Sequence, residues 1–191
     1  SSLYIDSFVV ENSSCNGDSS GSIIVYVHGG VPPYTYLWDN GSTAASAYNL
    51  AAGYHTVAIT DSNLCMSSFS VEILEPPLFE IDSLIVTDIT CHNANNGMMQ
   101  VQATGGNPPY MYSNDNGSNM QSNIAFSNLS PNTYIMYVED NKGCVDRDTV
   151  TFINPDSLYI DSTEFTHVTC YGASDGEITA INAIGGTPPY M

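Results

Sequence analysis

Gly53-Tyr54-His55-Thr56-Val57-Ala58-Ile59-Thr60-Asp61 places Val57 and Ile59 on one face and Thr56, Ala58 and Thr60 on the other. A period of two is the signature of a strand with one face buried. The pattern spreads in both directions along the chain. Phe69, Val71 and Ile73 alternate with Ser68, Ser70 and Glu72, and Val150 and Phe152 echo them. Ile23, Val25 and Val27 are echoed by Met99, Val101 and Ala103, and Val57 and Ile59 by Tyr134, Met136 and Val138. No run keeps helical spacing. The clusters Asn16-Gly17-Asp18, Asp39-Asn40-Gly41, Asp61-Ser62-Asn63 and Asn141-Lys142-Gly143 supply turns between the runs. Short strands punctuated in this way predict an all-β fold of tandem immunoglobulin-like antiparallel β-sandwich domains.

The echoes belong to a longer repeat. Gly29-Gly30-Val31-Pro32-Pro33-Tyr34 returns as Gly105-Gly106-Asn107-Pro108-Pro109-Tyr110 and as Gly185-Gly186-Thr187-Pro188-Pro189-Tyr190. Ile5-Asp6-Ser7 recurs as Ile81-Asp82-Ser83 and Ile160-Asp161-Ser162. A period of about eighty residues is that of small domains on a string, longer than solenoid repeats. The expected domains are 1–76, 77–155 and 156–191, the last being the opening part of a third repeat. Both ends read as cuts inside a longer array. The junctions Glu75-Pro76-Pro77 and Asn154-Pro155-Asp156 predict stiff linkers and a rod or thread. The spacing from Gly176 to Gly185 is one residue longer than that from Gly97 to Gly105, which predicts a β-bulge near Ala180–Ile181.

The chain of 191 residues carries 20 acidic against 2 basic residues, a net charge of −18. A polyanion repels nucleic acid and anionic lipid, so neither is an expected partner. Only 12% of the residues are charged while 42% are hydrophobic, which argues for folded domains over an acidic disordered tail. No run reaches the roughly 20 apolar residues of a membrane span, so direct insertion is not expected.

Cys15, Cys91 and Cys170 share one repeat position, and Cys65 and Cys144 share another. The expected disulfides are Cys15–Cys65 and Cys91–Cys144, with the partner of Cys170 beyond the segment. Pairing within repeats is preferred to bridges between them because each small domain then has its own staple. Closing a loop of roughly 50 residues is worth about 4 kcal/mol by the chain-entropy argument. Disulfides imply an oxidising, extracellular setting.

Few residues invite chemistry. The Gly-Gly-x-Pro-Pro-Tyr block reads as a loop device, with Tyr34, Tyr36, Tyr110 and Tyr112 as a candidate contact row. Trp38, the single tryptophan, has Asn114 as its counterpart and reads as packing before sugar platform. His28, His55, His92 and His167 occupy four different repeat positions, without zinc spacing or a triad. His55 stands where Tyr134 suggests a tyrosine corner. No catalytic residue is expected, and no cofactor. Asp39, Asp115 and Asp140 are weak Ca²⁺ candidates that turn chemistry explains as well. The recurring Asp-Ser pairs read either as strand-start hydrogen bonds or as modification sites.

The run from Gly29 to Gly41, then Asn49-Leu50-Ala51-Ala52-Gly53 and Val57 to Cys65, resembles the SprB-type repeat. That repeat occurs in very large Bacteroidetes surface proteins, including gliding-motility adhesins. The second repeat shares it through Gly105 to Tyr112, Asn128-Leu129 and Val138 to Cys144, departing at Asn114 and at Ser130-Pro131-Asn132. The Asp-Ser/Thr-apolar triplets resemble the Bacteroidetes O-glycosylation acceptor, which makes Ser7, Ser83, Thr149, Ser157 and Ser162 candidate sites. The resemblance implies a secreted, surface-anchored filament exported by the type IX system, with neighbouring repeats and an extracellular surface or polysaccharide as partners. The expected function is therefore structural and adhesive, in gliding motility or in another surface-adhesin role. The alternative is a spacer or carbohydrate-binding module of a secreted multidomain enzyme.

Overall fold

The alternating runs form strands, and the buried face of each is the one the sequence marks. In the computed structural model, which describes residues 2–186 and 188–190, the chain is all-β. Thr187 of the third Gly-Gly motif and the terminal residues Ser1 and Met191 lie outside the described residues. The first repeat comprises β1 (Tyr4–Glu11), β2 (Gly21–His28), β3 (Thr35–Trp38), β4 (Ser46–Leu50), β5 (Gly53–Thr60) and β6 (Met66–Ile73). Their hydrogen bonds make two antiparallel sheets, β1-β2-β4 and β3-β5-β6. Ile23, Val25, Ala47 and Leu50 from the first sheet pack with Trp38, Val57, Ile59 and Ile73 from the second, all buried. Each fully buried Val, Leu or Ile is worth about 1.5–3 kcal/mol over leaving it in water. The immunoglobulin-like sandwich closes on these residues.

The second repeat has the same series: β7 (Glu80–Thr87), β8 (Gly97–Thr104), β9 (Met111–Ser113), β10 (Ala125–Leu129), β11 (Asn132–Glu139) and β12 (Val145–Phe152). Its sheets are β10-β8-β7 and β12-β11-β9. Met99, Val101, Met136, Val138 and Phe152 are buried, as their alternation requires. β13 (Tyr159–Thr166) and β14 (Glu177–Ile184) form an antiparallel hairpin. Between Asn182, opposite Ser162, and Ala180, opposite Thr163, Ile181 is passed over. The odd residue in this stretch is thus absorbed at the expected bulge.

The recurring pairs Asp6-Ser7, Asp82-Ser83 and Asp161-Ser162 lie within strands and not at their starts, while Asp156-Ser157 precedes β13. Asp6 is skipped between the pairs Ile5–Val27 and Ser7–Tyr26, and Asp161 between Ile160–Ala183 and Ser162–Asn182. A bulge at that position re-aims the strand in the first and third repeats.

Two compact units divide the chain. One is Ser1–Glu80 with Ala103–Met111 and Val138–Asp146; the other is Ile81–Gln102 with Tyr112–Tyr137 and Arg147–Met191. The first unit therefore joins the whole first repeat to one tip of the second.

Candidate functional site: the disulfide-closed joint

The first two repeats build the tip at the start of their third strand in the same way. Asp61 is buried, and its carboxylate accepts N–H groups from Val31 (3.0 Å), Asn63 (2.9 Å) and Cys65 (2.8 Å). At the second tip Asp140 accepts from Asn107 (2.7 Å), Lys142 (2.8 Å) and Cys144 (2.9 Å). Burial raises both carboxyl groups. The converging N–H bonds outweigh it and hold both below the ordinary aspartate value. The Gly-Gly-x segment and the Asp-to-Cys turn are thus tied through one carboxylate. The signal was in the sequence, since Asp61 and Asp140 each stand four residues before a cysteine, but it is easily read as turn chemistry alone.

The glycines are required by what lies against them. Gly106 has φ +56°, and a Cβ there would come within 2.6 Å of the Asp140 carboxylate. Gly105 has φ +75°, and a Cβ would fall 1.7 Å from the Leu78 carbonyl oxygen, so the incoming linker crosses on bare backbone. The Tyr110 hydroxyl donates to the Gly105 carbonyl at 2.6 Å, as Tyr34 does to Gly29 at 2.6 Å and Tyr190 to Gly185 at 2.5 Å. Tyr34 and Tyr110 thus fasten their Gly-Gly turns and are half-buried like Tyr36, while Tyr112 is buried.

The opposite end of the first repeat carries Cys15. There the Ser13 N–H donates to the Leu74 carbonyl at 3.0 Å, beyond the end of β6, whereas Cys65 precedes its start. Eight residues of strand place these two ends about 26 Å apart. A disulfide needs Cα atoms within roughly 7 Å, so Cys15–Cys65 does not form. Cys15 is bonded to Cys144, with Cα atoms 5.7 Å apart and a sequence separation of 129. The expected Cys15–Cys65 and Cys91–Cys144 pairs are corrected to one bridge between repeats. Cys65, Cys91 and Cys170 are exposed thiols.

Hydrogen bonds surround the bridge. The Asn107 side-chain amide donates to the Ser14 carbonyl at 2.9 Å. The Gly17 N–H donates to Glu75 at 2.7 Å, the Asn16 amide to the Pro76 carbonyl at 3.0 Å, and the Gly106 N–H to the Pro77 carbonyl at 2.9 Å. The linker is held from both sides, and the joint is chemically a latch.

The remaining candidates are dispersed, except that His55 Nδ1 lies 3.3 Å from the Asp39 carboxylate. Trp38 is 2% exposed and donates its indole N–H to the Ala44 carbonyl at 2.9 Å, so it is core and offers no sugar platform. His55 Nε2 lies 2.9 Å from the Ala51 carbonyl, matching the Tyr134 hydroxyl, which donates to Ser130 at 3.1 Å, so the histidine does a tyrosine corner's work. His92 donates to the Pro155 carbonyl at 2.7 Å, His28 lies against Tyr4 and His167 against Phe165. Asp39 accepts from the Thr56 N–H at 3.1 Å, and Asp115 from Ser113 and Asn119. Among the described residues no group of three or more His, Cys, Asp or Glu is arranged to hold a metal ion. Ser7, Thr149, Ser157 and Ser162 are exposed and Ser83 is half-buried, on no common site. No helix of the described residues is long and apolar enough to cross a membrane.

The family model described as "SprB repeat" matches residues 7–43, 83–119 and 162–191, more than half of the chain. The chain belongs to the SprB repeat family. No curated protein matches it. Among solved structures it is similar to a C-terminal 282-residue fragment of intimin in complex with the intimin-binding domain of Tir (15% identity, 81% of this chain, 66% of that one, TM-score 0.44). It is also similar to the N-terminal eight immunoglobulin domains of Down syndrome cell adhesion molecule (13% identity, 80% and 24%, TM-score 0.36). Domains 4–9 of the surface-layer protein SbsC match at 10% identity over 96% and 38%, with a TM-score of 0.32. The chain spans less than two thirds of each of these structures, and at such scores the likeness carries no functional argument.

Proposed function

We propose that this chain is a load-bearing and adhesive segment of a large extracellular surface filament, with repeats at 1–76, 77–155 and 156–191. The observation that carries the reading is the Cys15–Cys144 bridge between neighbouring SprB repeats. A bridge between domains adds nothing to the interior of either one; it fixes how successive repeats are joined, which is useful where repeats must act as a series. Repetition then multiplies weak contacts with a surface or polysaccharide into avidity. Disulfide chemistry fits secretion, and the reading extends to type IX export, glycosylation at the Asp-Ser/Thr sites, and adhesion during gliding. No residue of the joint is assigned a catalytic role.

Antibodies raised against the chain, applied to intact cells, test this together with the sequence of the parent reading frame. Surface-labelled filaments and many further repeats are expected. Labelling only after lysis, or a short frame ending in an enzyme domain, would overturn the proposal.

A further inference from the structure

The outer face of the sheet β1-β2-β4 carries aromatic rings that the sandwich does not need. Val25 is buried and Val27 packs against the core, so Tyr26 and His28, alternating with them, point away from it. Ile5 packs against the core too, so Tyr4 faces out opposite His28, the two rings 5.5 Å apart. Ala47 is buried, which turns Tyr48 outward at the irregularity where β4 passes Ser22. Tyr4 (45% exposed), Tyr26 (51%) and Tyr48 (57%) thus run diagonally from β1 across β2 to β4, with the register pair Val9 and Ile24 among them. Ser22 and His28, beside the two ends of this track, lie six residues apart on β2, about 20 Å at the rise of a strand. The second repeat, which has neighbours in the chain on both sides, carries Glu80, Gln102 and Ser127 at the three equivalent positions, all exposed. The face is therefore open by its place in the fold, and only the first repeat fills it with tyrosine.

A contiguous exposed apolar patch rimmed by polar residues marks a site of interaction, and the charges around this one say what fits. The first repeat has no lysine or arginine; Lys142 and Arg147, the only two, belong to the second. The acidic groups beside the track are Asp6, which stands with Ser7 at the bulge opposite Tyr26, and Glu11, which accepts from the Ser22 hydroxyl at 3.1 Å. Carboxylate acceptors without a cation suit a ligand rich in hydroxyl donors and free of negative charge, and the net charge of −18 repels an anionic one. Tyrosine offers a stacking face and a polar edge together, and a row of such rings on an open sheet suits an extended ligand with flat apolar faces. We propose that this face is a binding site for a neutral polysaccharide, whose sugar rings stack on Tyr4, Tyr26 and Tyr48 while Asp6 and Ser7 bind its hydroxyls. The inference deepens the adhesive reading and rests on it for the extracellular setting; it names the ligand class and the repeat that holds it.

The test is affinity electrophoresis of the full chain through gels that each contain one soluble polysaccharide. Hydroxyethylcellulose, galactomannan and xyloglucan are the neutral probes, and polygalacturonate is the acidic one. Retardation by at least one neutral probe and none by polygalacturonate is expected. Tyr26→Ala and Tyr48→Ala should each weaken that binding about tenfold, the loss of one stacked ring. Unchanged emission from the buried Trp38 would show that the core survives these changes. Tyr54→Ala removes a ring that is 70% exposed on the other sheet and should leave binding as it was. No retardation by any neutral probe, equal retardation by polygalacturonate, or binding indifferent to both Tyr26→Ala and Tyr48→Ala would each overturn the inference. Surface-labelled filaments without polysaccharide binding would sink this inference and spare the filament reading, whereas binding by a chain labelled only after lysis would sink that reading and leave the site.

Discussion

The first two repeats fill equivalent interiors differently while tying their tips through the same carboxylate. At the end of β3 the first repeat buries the indole of Trp38; the second has Asn114 there and, beside it, a fully buried Ser113 bonded to Asp115, which also binds Asn119. One repeat fixes this corner by apolar packing, the other by a polar network. The corner after the fourth strand shows the same freedom, with His55 in one repeat and Tyr134 in the other reaching a carbonyl four residues back. At the tips the tying residues do not vary, although Val31 and Leu64 stand where the second repeat has Asn107 and Gly143. Asp, Gly-Gly and Tyr recur, because a carboxylate collecting three N–H groups and a linker crossing bare glycine leave no volume for alternatives. What varies is how each domain holds itself; what is kept is how it meets the next.

This contrast can be broken in four ways. Cys144→Ser removes the one covalent link between repeats, and closing a separation of 129 residues is worth about 5 kcal/mol by the chain-entropy argument. Urea unfolding should show a loss of that size when the linked repeats unfold together; a loss below about 1 kcal/mol would mean that the bridge joins domains without stabilising either. Trp38→Ala is expected to cost about 3–5 kcal/mol as a large-to-small core change, confined to the first repeat. Far-UV circular dichroism should then resolve two transitions; a single unshifted one would show that the corner is not core. Asp140→Asn should cost about 2 kcal/mol through lost charge-assisted hydrogen bonds. Because Trp38 is the single tryptophan, its emission reports whether that damage crosses the joint into the first repeat.

The smallest expected effect concerns acid. Hydrogen bonds from Ser113 and Asn119 hold the Asp115 carboxyl down to about 2, from the ordinary 3.8. A carboxyl depressed on folding contributes stability that is present above its unfolded value and is lost as pH falls through the folded one. The second repeat should therefore weaken between about pH 4 and 2 by this route. NMR titration of the Asp115 side chain should place its midpoint near 2; a midpoint near 4 would dissolve the polar network as the counterpart of Trp38.

Much of this was legible in the chain. Alternation around Val57 and Ile59 gave the buried faces, the odd residue before Gly185 gave the bulge at Ile181, and the match of His55 to Tyr134 gave the corner. The cysteine pairing was not legible, for a topological reason. A chain that reverses at every turn would bring the end of β5 back beside the end of β1, and Cys65 near Cys15. Instead β3 and β4 run the same way, as their antiparallel partners β5 and β2 show, and the segment between them passes from one sheet to the other. That extra pass sends Cys65 to the far end. Periodicity identifies equivalent cysteines, but only the strand directions say which end each one occupies.

The bridge also changes what the molecule can do under tension. A pull entering through β1 and leaving through β12 can cross from Cys15 to Cys144 through sulfur, so the polypeptide between them is bypassed. Unravelling those residues adds no reach while the bond holds. The separation of 129 residues corresponds to about 450 Å of extended chain kept in reserve. The redox state of one bond thus sets whether a stretched molecule behaves as a short tether or a long one.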